Sequence, residues 1–303
     1  FATGIDVQQG EWLSAQEVRQ GIIDSVEIGK QTGRAGQQFC PFIGCRMYFT
    51  AFCTDRTRKE QLSVASMIIL HLLPGGLTML LMLLVSPLLQ RAGIYPGIPV
   101  LCVFAAPVLI LMQLGFLYYQ GKQLNGRYSL QGIVLYRDNL IPWWKIAALS
   151  LSILAWIAFV FYVARPPLNA FFHQHFFTWI PWNFLDEAIL AHLIAYSPAF
   201  LRTICVLFTL SITLGGVVEE LYFRGYLLPR MESLGGWAPF LNVLLFSLYH
   251  FWSPWENVVR LLAVTPWVYA AWRTRNIYLP LWIHGIINAF SGISLLITVL
   301  GLI

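Results

Sequence analysis

The chain has 303 residues, of which 58% are hydrophobic and only 11% are charged. Soluble domains carry roughly a quarter charged residues, so this composition excludes an ordinary soluble protein and predicts a polytopic membrane protein. The net charge of +5 does not call for a nucleic-acid partner, because Lys and Arg gathered in cytoplasmic loops give the same excess.

The composition changes near Gln61. Residues 1–60 contain seven basic and seven acidic side chains, so the whole positive excess lies in the remainder, which has twelve basic and seven acidic side chains. We therefore expect a soluble N-terminal extension (1–60), a set of N-terminal transmembrane helices with an interfacial loop (61–199), and a C-terminal core (200–303).

The extension itself carries two weak features. Residues 14–28 have apolar positions at near-helical spacing, which predicts a peripheral helix. Three cysteines lie there without zinc-type spacing and without a nearby histidine, so free thiols are expected; they are Cys40, Cys45 and Cys53.

Seven apolar segments predict membrane spans. The first, 63–89, has no formal charge, and at about 1.5 Å per residue it covers a hydrocarbon core of about 30 Å. The other predicted spans are 95–119, 143–164, 200–228, 237–252, 258–272 and 277–303. Residues 165–198 are rich in Phe and Trp and interrupted by Pro, so we expect an interfacial segment, with a short helix at 185–196 as a candidate eighth span.

The basic residues predict the orientation. Lys and Arg are concentrated before the first span and after the second, fourth and sixth spans, whereas the loops of the other set contain few of them. By the positive-inside rule, seven spans then give a cytoplasmic N-terminus and an outward C-terminus. An eighth span would change the parity and weaken this agreement.

One predicted span contains three charges. Glu219, Glu220 and Arg224 lie within six positions, although a charge at the centre of a membrane helix costs roughly 2.5 to 3.5 kcal/mol. On a helix that turns about 100° per residue, Glu220 and Arg224 share a face, whereas Glu219 lies about 140° away from Arg224. The spacing therefore predicts one carboxylate in an ion pair and one free carboxylate.

Two later spans carry polar residues at helical spacing. Phe246 and His250 are four apart in FSLYH, and His284 and Asn288 are four apart in HGIIN, so each pair shares a helix face. Counting about 1.5 Å per residue from the cytoplasmic ends puts the two histidines, the amide and Glu219 in the inner half to middle of the bilayer. We expect them to meet there.

A free carboxylate, two imidazoles and an amide in a wet pocket suit peptide hydrolysis. Glu219 is the candidate general base and His250 its assistant, while His284 and Asn288 are candidate donors to the oxyanion. No serine or cysteine occurs in a comparable polar cluster.

The motifs EELYFRG, FSLYH and HGIIN, in this order on successive spans, resemble the CPBP family of intramembrane proteases, which includes CAAX prenyl endopeptidases and Abi proteins. The resemblance covers about residues 200–295. It implies a glutamate-dependent endopeptidase that cleaves membrane-anchored or lipid-modified, CAAX-like substrates from a cavity within the bilayer. It also implies that Glu220 and Arg224 support the helix and that Phe246 lines the cavity.

Metal use remains open at the level of sequence. Glu219, His250 and His284 could ligate zinc with a position left for water, but the H-E-x-x-H helix is absent. An amide such as Asn288 is a poor zinc ligand and a good oxyanion donor, so we favour a metal-free mechanism with no cofactor.

Two other functions use the same residues. A catalytically idle scaffold or immunity-type protein could keep the fold, with the ion pair as a structural staple and the histidines and amide joining helices by hydrogen bonds. A proton-coupled transporter could use buried Glu and His as a relay. Transporters of the common kinds contain internal repeats, and no second copy of EELYFR or HGIIN occurs in the sequence.

Overall fold

The structure is a computed structural model that describes residues 61–94, 97–137, 139–180 and 196–302. From Leu62 onward the described residues belong to one compact unit. The predictions for residues 1–60, namely the peripheral helix and the three free thiols, lie outside the described residues. So does the candidate eighth span, whose residues 185–195 are not described.

The described residues form helices and no strand. Eight α-helices follow one another: α1 (Val64–Arg91), α2 (Ile98–Asn125), α3 (Trp143–Phe159), α4 (Arg165–Phe176), α5 (Pro198–Glu219), α6 (Trp237–Leu248), α7 (Asn257–Thr274) and α8 (Tyr278–Leu302). Shorter helical segments connect some of them: the π-helices Val160–Ala164 and Glu220–Leu227, and the 3-10 helices Leu228–Leu234 and Pro254–Glu256.

Five helical segments of the described chain are long and apolar enough to cross a membrane: Val64–Arg91, Val100–Asn125, Trp143–Phe176, Pro198–Leu234 and Tyr278–Gly301. Helices also form where the sequence predicts the fifth and sixth spans. However, α6 has only 12 residues, and α7 is not apolar enough to count among the helices that could cross a membrane. The all-helical, polytopic membrane fold is confirmed. The count of seven and the orientation of the termini stay predictions.

The third span differs from its predicted end at residue 164. The helix continues through a π-helical turn, Val160–Ala164, into α4 and ends only at Phe176. Pro166 and Pro167 do not stop it, because they occupy the first turn of α4, where the missing N–H groups and the fixed φ are tolerated. Residues 165–176 are therefore helical where a loop was expected, and their position at the membrane interface stays a prediction.

Polar caps fix the start of two helices. The Ser63 side chain accepts a hydrogen bond from the Ser66 amide at 3.2 Å at the start of α1, and Ser197 accepts one from Phe200 at 3.3 Å at the start of α5. Each satisfies an amide that has no partner within the helix. The α2 helix ends at Gly126, whose φ of 70° is a left-handed conformation that glycine adopts without strain.

Helix α5 lies at the centre of the bundle, between α8 and α2. Helix α1 packs against α2 and α6, and α7 packs against α6. Buried polar contacts link α6, α1 and the π-helix Glu220–Leu227. The Asn242 amide of α6 contacts His71 Nε2 of α1 at 3.1 Å. The same amide donates to the Phe223 carbonyl of the π-helix at 3.0 Å. The N-terminal helices are thereby fixed against the segment that contains the three charges.

Gly75 allows the closest approach between α1 and the loop after α6. A Cβ atom at this position would overlap the Tyr249 carbonyl oxygen, whereas a Cβ at Gly76 would meet only Phe251 Cε2 at 4.0 Å. Overpacking of this kind costs typically 1–3 kcal/mol. This cost equals or exceeds the free energy that a helix gains when alanine replaces glycine at an unhindered site.

We therefore expect Gly75→Ala to lower the apparent Tm of the detergent-solubilised protein by several degrees. Gly76→Ala should leave the apparent Tm unchanged or raise it, because alanine is the better helix former. Thermal unfolding of the two variants side by side checks this, and an equal response would contradict the close approach.

Candidate active site

The segment with the three charges changes its helical form at Glu219. Helix α5 ends at this residue, and Glu220–Leu227 continues as a π-helix. Such wide turns are rare and occur frequently at functional sites. The sequence predicts a regular α-helix here, so the assumed turn of about 100° per residue does not describe this segment.

The predicted ion pair nevertheless forms. Arg224 Nη1 lies 3.1 Å from Glu220 Oε1, and both side chains are fully buried. The Arg224 guanidinium also lies over the Phe246 ring, with its Cζ 4.0 Å from the ring centroid. A desolvated guanidinium over an aromatic face is worth about 2 kcal/mol, so Phe246 supports the pair as well as lining the cavity described below.

Glu219 points away from this pair. Its side chain is 7% exposed; Oε1 accepts a hydrogen bond from the Tyr249 hydroxyl, and Oε2 lies 3.8 Å from His284 Nε2. The two consecutive carboxylates therefore have different surroundings. Glu220 is buried against Arg224, and Glu219 faces an imidazole across a short gap.

His284 joins the two carboxylates. Its Nδ1 lies 2.7 Å from Glu220 Oε1 and donates to it, which leaves Nε2 directed towards Glu219. One turn further along α8, Asn288 Nδ2 donates to the Ile212 carbonyl of α5 at 2.7 Å. Both side chains thus receive a fixed orientation from groups on the neighbouring segment.

The close packing of α5 and α8 depends on Gly216. A Cβ atom there would lie 2.7 Å from Asn288 Nδ2 and 3.2 Å from His284 Nε2. No side chain fits between the helices at this level, so glycine leaves the amide and the imidazole room beside Glu219.

His250 lies two residues beyond the end of α6. Its Nδ1 is 2.8 Å from the Phe246 carbonyl oxygen. Because a carbonyl only accepts, Nδ1 carries a proton and a neutral ring presents Nε2 as an acceptor. The ring packs against Tyr249, with centroids 4.4 Å apart.

A cavity of about 330 Å³ connects these groups. Five of the seven residues singled out in the sequence line it: Glu219, Phe246, His250, His284 and Asn288. Glu220 and Arg224 lie behind its wall. The predicted meeting of the carboxylate, the imidazoles and the amide is therefore present as geometry, and the catalytic roles of these residues stay predictions.

Part of the cavity lining was not anticipated from the sequence. Glu256 Oε1 accepts from Arg165 Nη2 at 2.5 Å and from Asn169 at 3.1 Å, and Glu256 Oε2 lies 3.5 Å from Arg260 Nη2. Arg165, Glu256 and Arg260 all line the cavity. Glu256 and Arg260 are four residues apart, but Arg165 comes from α4, and no sequence spacing connects it with them.

Tyr249 is the second residue missed. It stands inside the motif FSLYH, but helical spacing directs attention to Phe246 and His250, which are four apart. Tyr249 and His250 lie beyond the last residue of α6, where helical periodicity no longer predicts direction. The only available signal was a polar aromatic hydroxyl in an apolar segment.

A catalytic zinc centre requires three protein ligands placed around one position. Among the described residues, no group of three His, Cys, Asp or Glu side chains is placed to hold a metal ion. Glu219 and His284 approach each other, but the third candidate ligand, His250, does not complete a coordination site with them. The residues present do not fit a zinc centre in this arrangement.

Residues 201–290 match the family of type II CAAX prenyl endopeptidases that are Rce1-like. This segment includes most of α5, all of α6 and α7, about half of α8 and every site residue named in the sequence analysis. The match confirms, for this segment, the resemblance to the CPBP family, and the segment is similar to a CAAX-type intramembrane protease domain. No curated protein and no solved structure matches the chain significantly.

The buried ion pair leads to a prediction about stability. Arg224→Met should lower the free energy of unfolding by about 3–5 kcal/mol, because the Glu220 carboxylate then stays buried without its cation. Arg202→Met makes the same substitution at an exposed position of α5, and there a change within about 0.5 kcal/mol is expected. The folded fraction of each variant after heating in detergent measures the difference, and equal losses would contradict a stabilising pair.

Proposed function

We propose that the protein is an intramembrane endopeptidase that hydrolyses peptide bonds of membrane-anchored or lipid-modified substrates, with Glu219 activating the attacking water. The observation that carries this proposal is the pairing of Glu219 Oε2 with His284 Nε2 at 3.8 Å. Both residues line a cavity together with Asn288, and all three belong to the CAAX-protease-like segment. No other carboxylate of the described residues has this combination of neighbours.

Glu219 serves as the general base. Groups 3.8 Å apart are too distant for a direct hydrogen bond, but a single oxygen atom placed between them contacts both at normal distances. A water molecule there would be aligned by Glu219 Oε2 and lie within reach of a substrate carbonyl. General-base catalysis of this kind contributes about 10²–10⁴-fold to a rate.

His250 assists at the water. With Nδ1–H donating to Phe246, a neutral His250 ring offers Nε2 as an acceptor for a second hydrogen of the water. The two acceptors, a carboxylate and an imidazole, would orient the water so that its oxygen lone pair faces the scissile carbonyl. Because His250 only orients the water, replacing His250 should reduce the cleavage rate less than replacing Glu219.

Asn288 and His284 stabilise the oxyanion. Asn288 uses one amide hydrogen for Ile212 and retains the other for the substrate. His284 keeps Nδ1 on Glu220 and donates from Nε2 when the ring is an imidazolium. Each such donor is typically worth about 2.7–4 kcal/mol in the barrier.

The reaction balances without a cofactor. Glu219 takes one proton from water as the oxygen forms a bond to the carbonyl carbon, and the carbonyl oxygen becomes the oxyanion. When the oxyanion collapses, the C–N bond breaks and the proton held by Glu219 passes to the leaving amine. The products are a carboxylic acid, which keeps the second proton of the water, and an amine; Glu219 is again a carboxylate, and no step passes through a metal.

The lining of the cavity supports a membrane-attached substrate. Away from the polar groups its wall is apolar and includes Met82, Leu109 and Phe208. Apolar walls with a few placed polar groups are typical of small-molecule and lipid sites. A prenylated or otherwise tethered peptide would keep its lipid among apolar surroundings while its backbone reaches Glu219.

Replacing Glu219 by Gln should abolish cleavage of a CAAX-tailed fluorogenic peptide by the purified protein in detergent, because the amide cannot accept the proton from water. A loss of about 10²-fold or more, with a folded protein by thermal unfolding, is the expected outcome. A variant with intact cleavage would contradict the mechanism and leave the protease activity to another group.

The same assay separates the rival functions. Activity that is indifferent to a strong chelator in the wild type supports the metal-free scheme, whereas activity lost with chelator and restored by zinc would overturn it. A wild-type protein that cleaves neither this peptide nor a panel of prenylated proteins would favour the idle scaffold. Glu219→Gln should then leave its cellular phenotype unchanged.

Gly216→Ala should reduce cleavage by about tenfold or more. The added methyl group displaces Asn288 and His284, and loss of one oxyanion donor alone costs about 10²–10³-fold. Gly285→Ala in α8 is the matched control, since a Cβ at Gly285 meets nothing within 4 Å and Gly285 does not line the cavity, so activity should stay within about twofold. Equal effects of the two variants on kcat would contradict the proposed crowding.

A further inference from the structure

The Tyr249 hydroxyl lies next to the proposed base. It donates a hydrogen bond to Glu219 Oε1, and the Tyr249 side chain is fully buried. Tyr249 does not line the cavity, so it has no access to a substrate. Whatever effect it has on the reaction is exerted through Glu219.

Tyr249 is held by both its ring and its backbone. The ring packs against Phe223, with centroids 5.0 Å apart, and against Trp252 at 5.5 Å. The backbone carbonyl lies against Gly75 of α1, where a Cβ would overlap it. A side chain restrained in this way has one direction for its hydroxyl.

We propose that Tyr249 is a positioning residue that fixes the Glu219 carboxylate. With Oε1 bound to the hydroxyl, Oε2 is the oxygen presented to His284 Nε2 and to the cavity. Preorganised orientation of a reacting group is worth orders of magnitude in rate, and small displacements are costly. This inference rests on the proposed function of Glu219.

The inference also connects the base with a helix outside the protease-like segment. Gly75 of α1 lies against the Tyr249 backbone carbonyl, whereas the family match covers residues 201–290. The orientation of the base would therefore depend on α1, which carries none of the recognised motifs.

Tyr249→Phe tests the hydroxyl and keeps the ring. We expect kcat for the fluorogenic peptide to fall by about 10- to 100-fold with KM within about twofold, because hydrogen bonds to charged groups are among the stronger ones. The acidic limb of the kcat/KM profile should move to higher pH by about one unit, since the hydroxyl donates best to the ionised carboxylate.

Tyr222→Phe is the matched control. Tyr222 is a similarly buried tyrosine whose hydroxyl donates to the Leu70 carbonyl at 2.7 Å, away from Glu219. It should cost stability while leaving kcat per folded molecule within about twofold and the pH profile unmoved. If Tyr222→Phe moved the acidic limb as much as Tyr249→Phe, the inference would be overturned.

The outcomes also separate this inference from the proposed function. If the wild type cleaves and Glu219→Gln does not, while Tyr249→Phe keeps both kcat and the pH profile, the protease function stands and the positioning role is wrong. If no Glu219-dependent cleavage occurs in the wild type, both proposals are wrong.

Discussion

The buried ion pair of Glu220 and Arg224 is the constraint on which the site depends. Two charges removed from water are tolerated only with good geometry and additional partners, and each partner used here has a second task. Phe246 covers the guanidinium at 4.0 Å and also lines the cavity. His284 donates from Nδ1 to Glu220 and thereby directs Nε2 towards Glu219. The electrostatic requirement of the pair therefore fixes parts of α6 and α8 in the orientation that the cavity needs.

Two features of the backbone flank Glu219: the π-helix that begins directly after it, and Gly216, which lies one turn before it. The π-helix begins at Glu220, so the two consecutive carboxylates lie at the junction of two helical forms and face different surroundings. Gly216, one turn earlier, keeps α5 and α8 close enough for Asn288 to donate to the Ile212 carbonyl. One carboxylate is buried for stability and the other is exposed to a cavity, although they are neighbours in sequence.

The N-terminal helices are part of the same structural unit. His71 of α1 contacts Asn242 of α6, and Gly75 of α1 allows close contact with the Tyr249 backbone. Neither His71 nor Gly75 belongs to a recognised motif, and both contact the C-terminal core at a position next to the site. A protease-like segment of 90 residues, 201–290, would therefore lack these supports if it were isolated.

The sequence alone determined the membrane character, most helix positions and the residues that meet at the cavity, because hydropathy, charge in an apolar span and four-residue spacing are local signals. It placed Glu220 with Arg224 correctly, since residues four apart remain neighbours even when the turn widens. It missed the continuation of the third span through Pro166 and Pro167, where a π-helical turn offsets the expected break. Only the tertiary structure decided which groups touch across elements: Tyr249 on Glu219, and Arg165 on Glu256. Such contacts are set by how separate helices pack, and no periodicity within one segment contains that information.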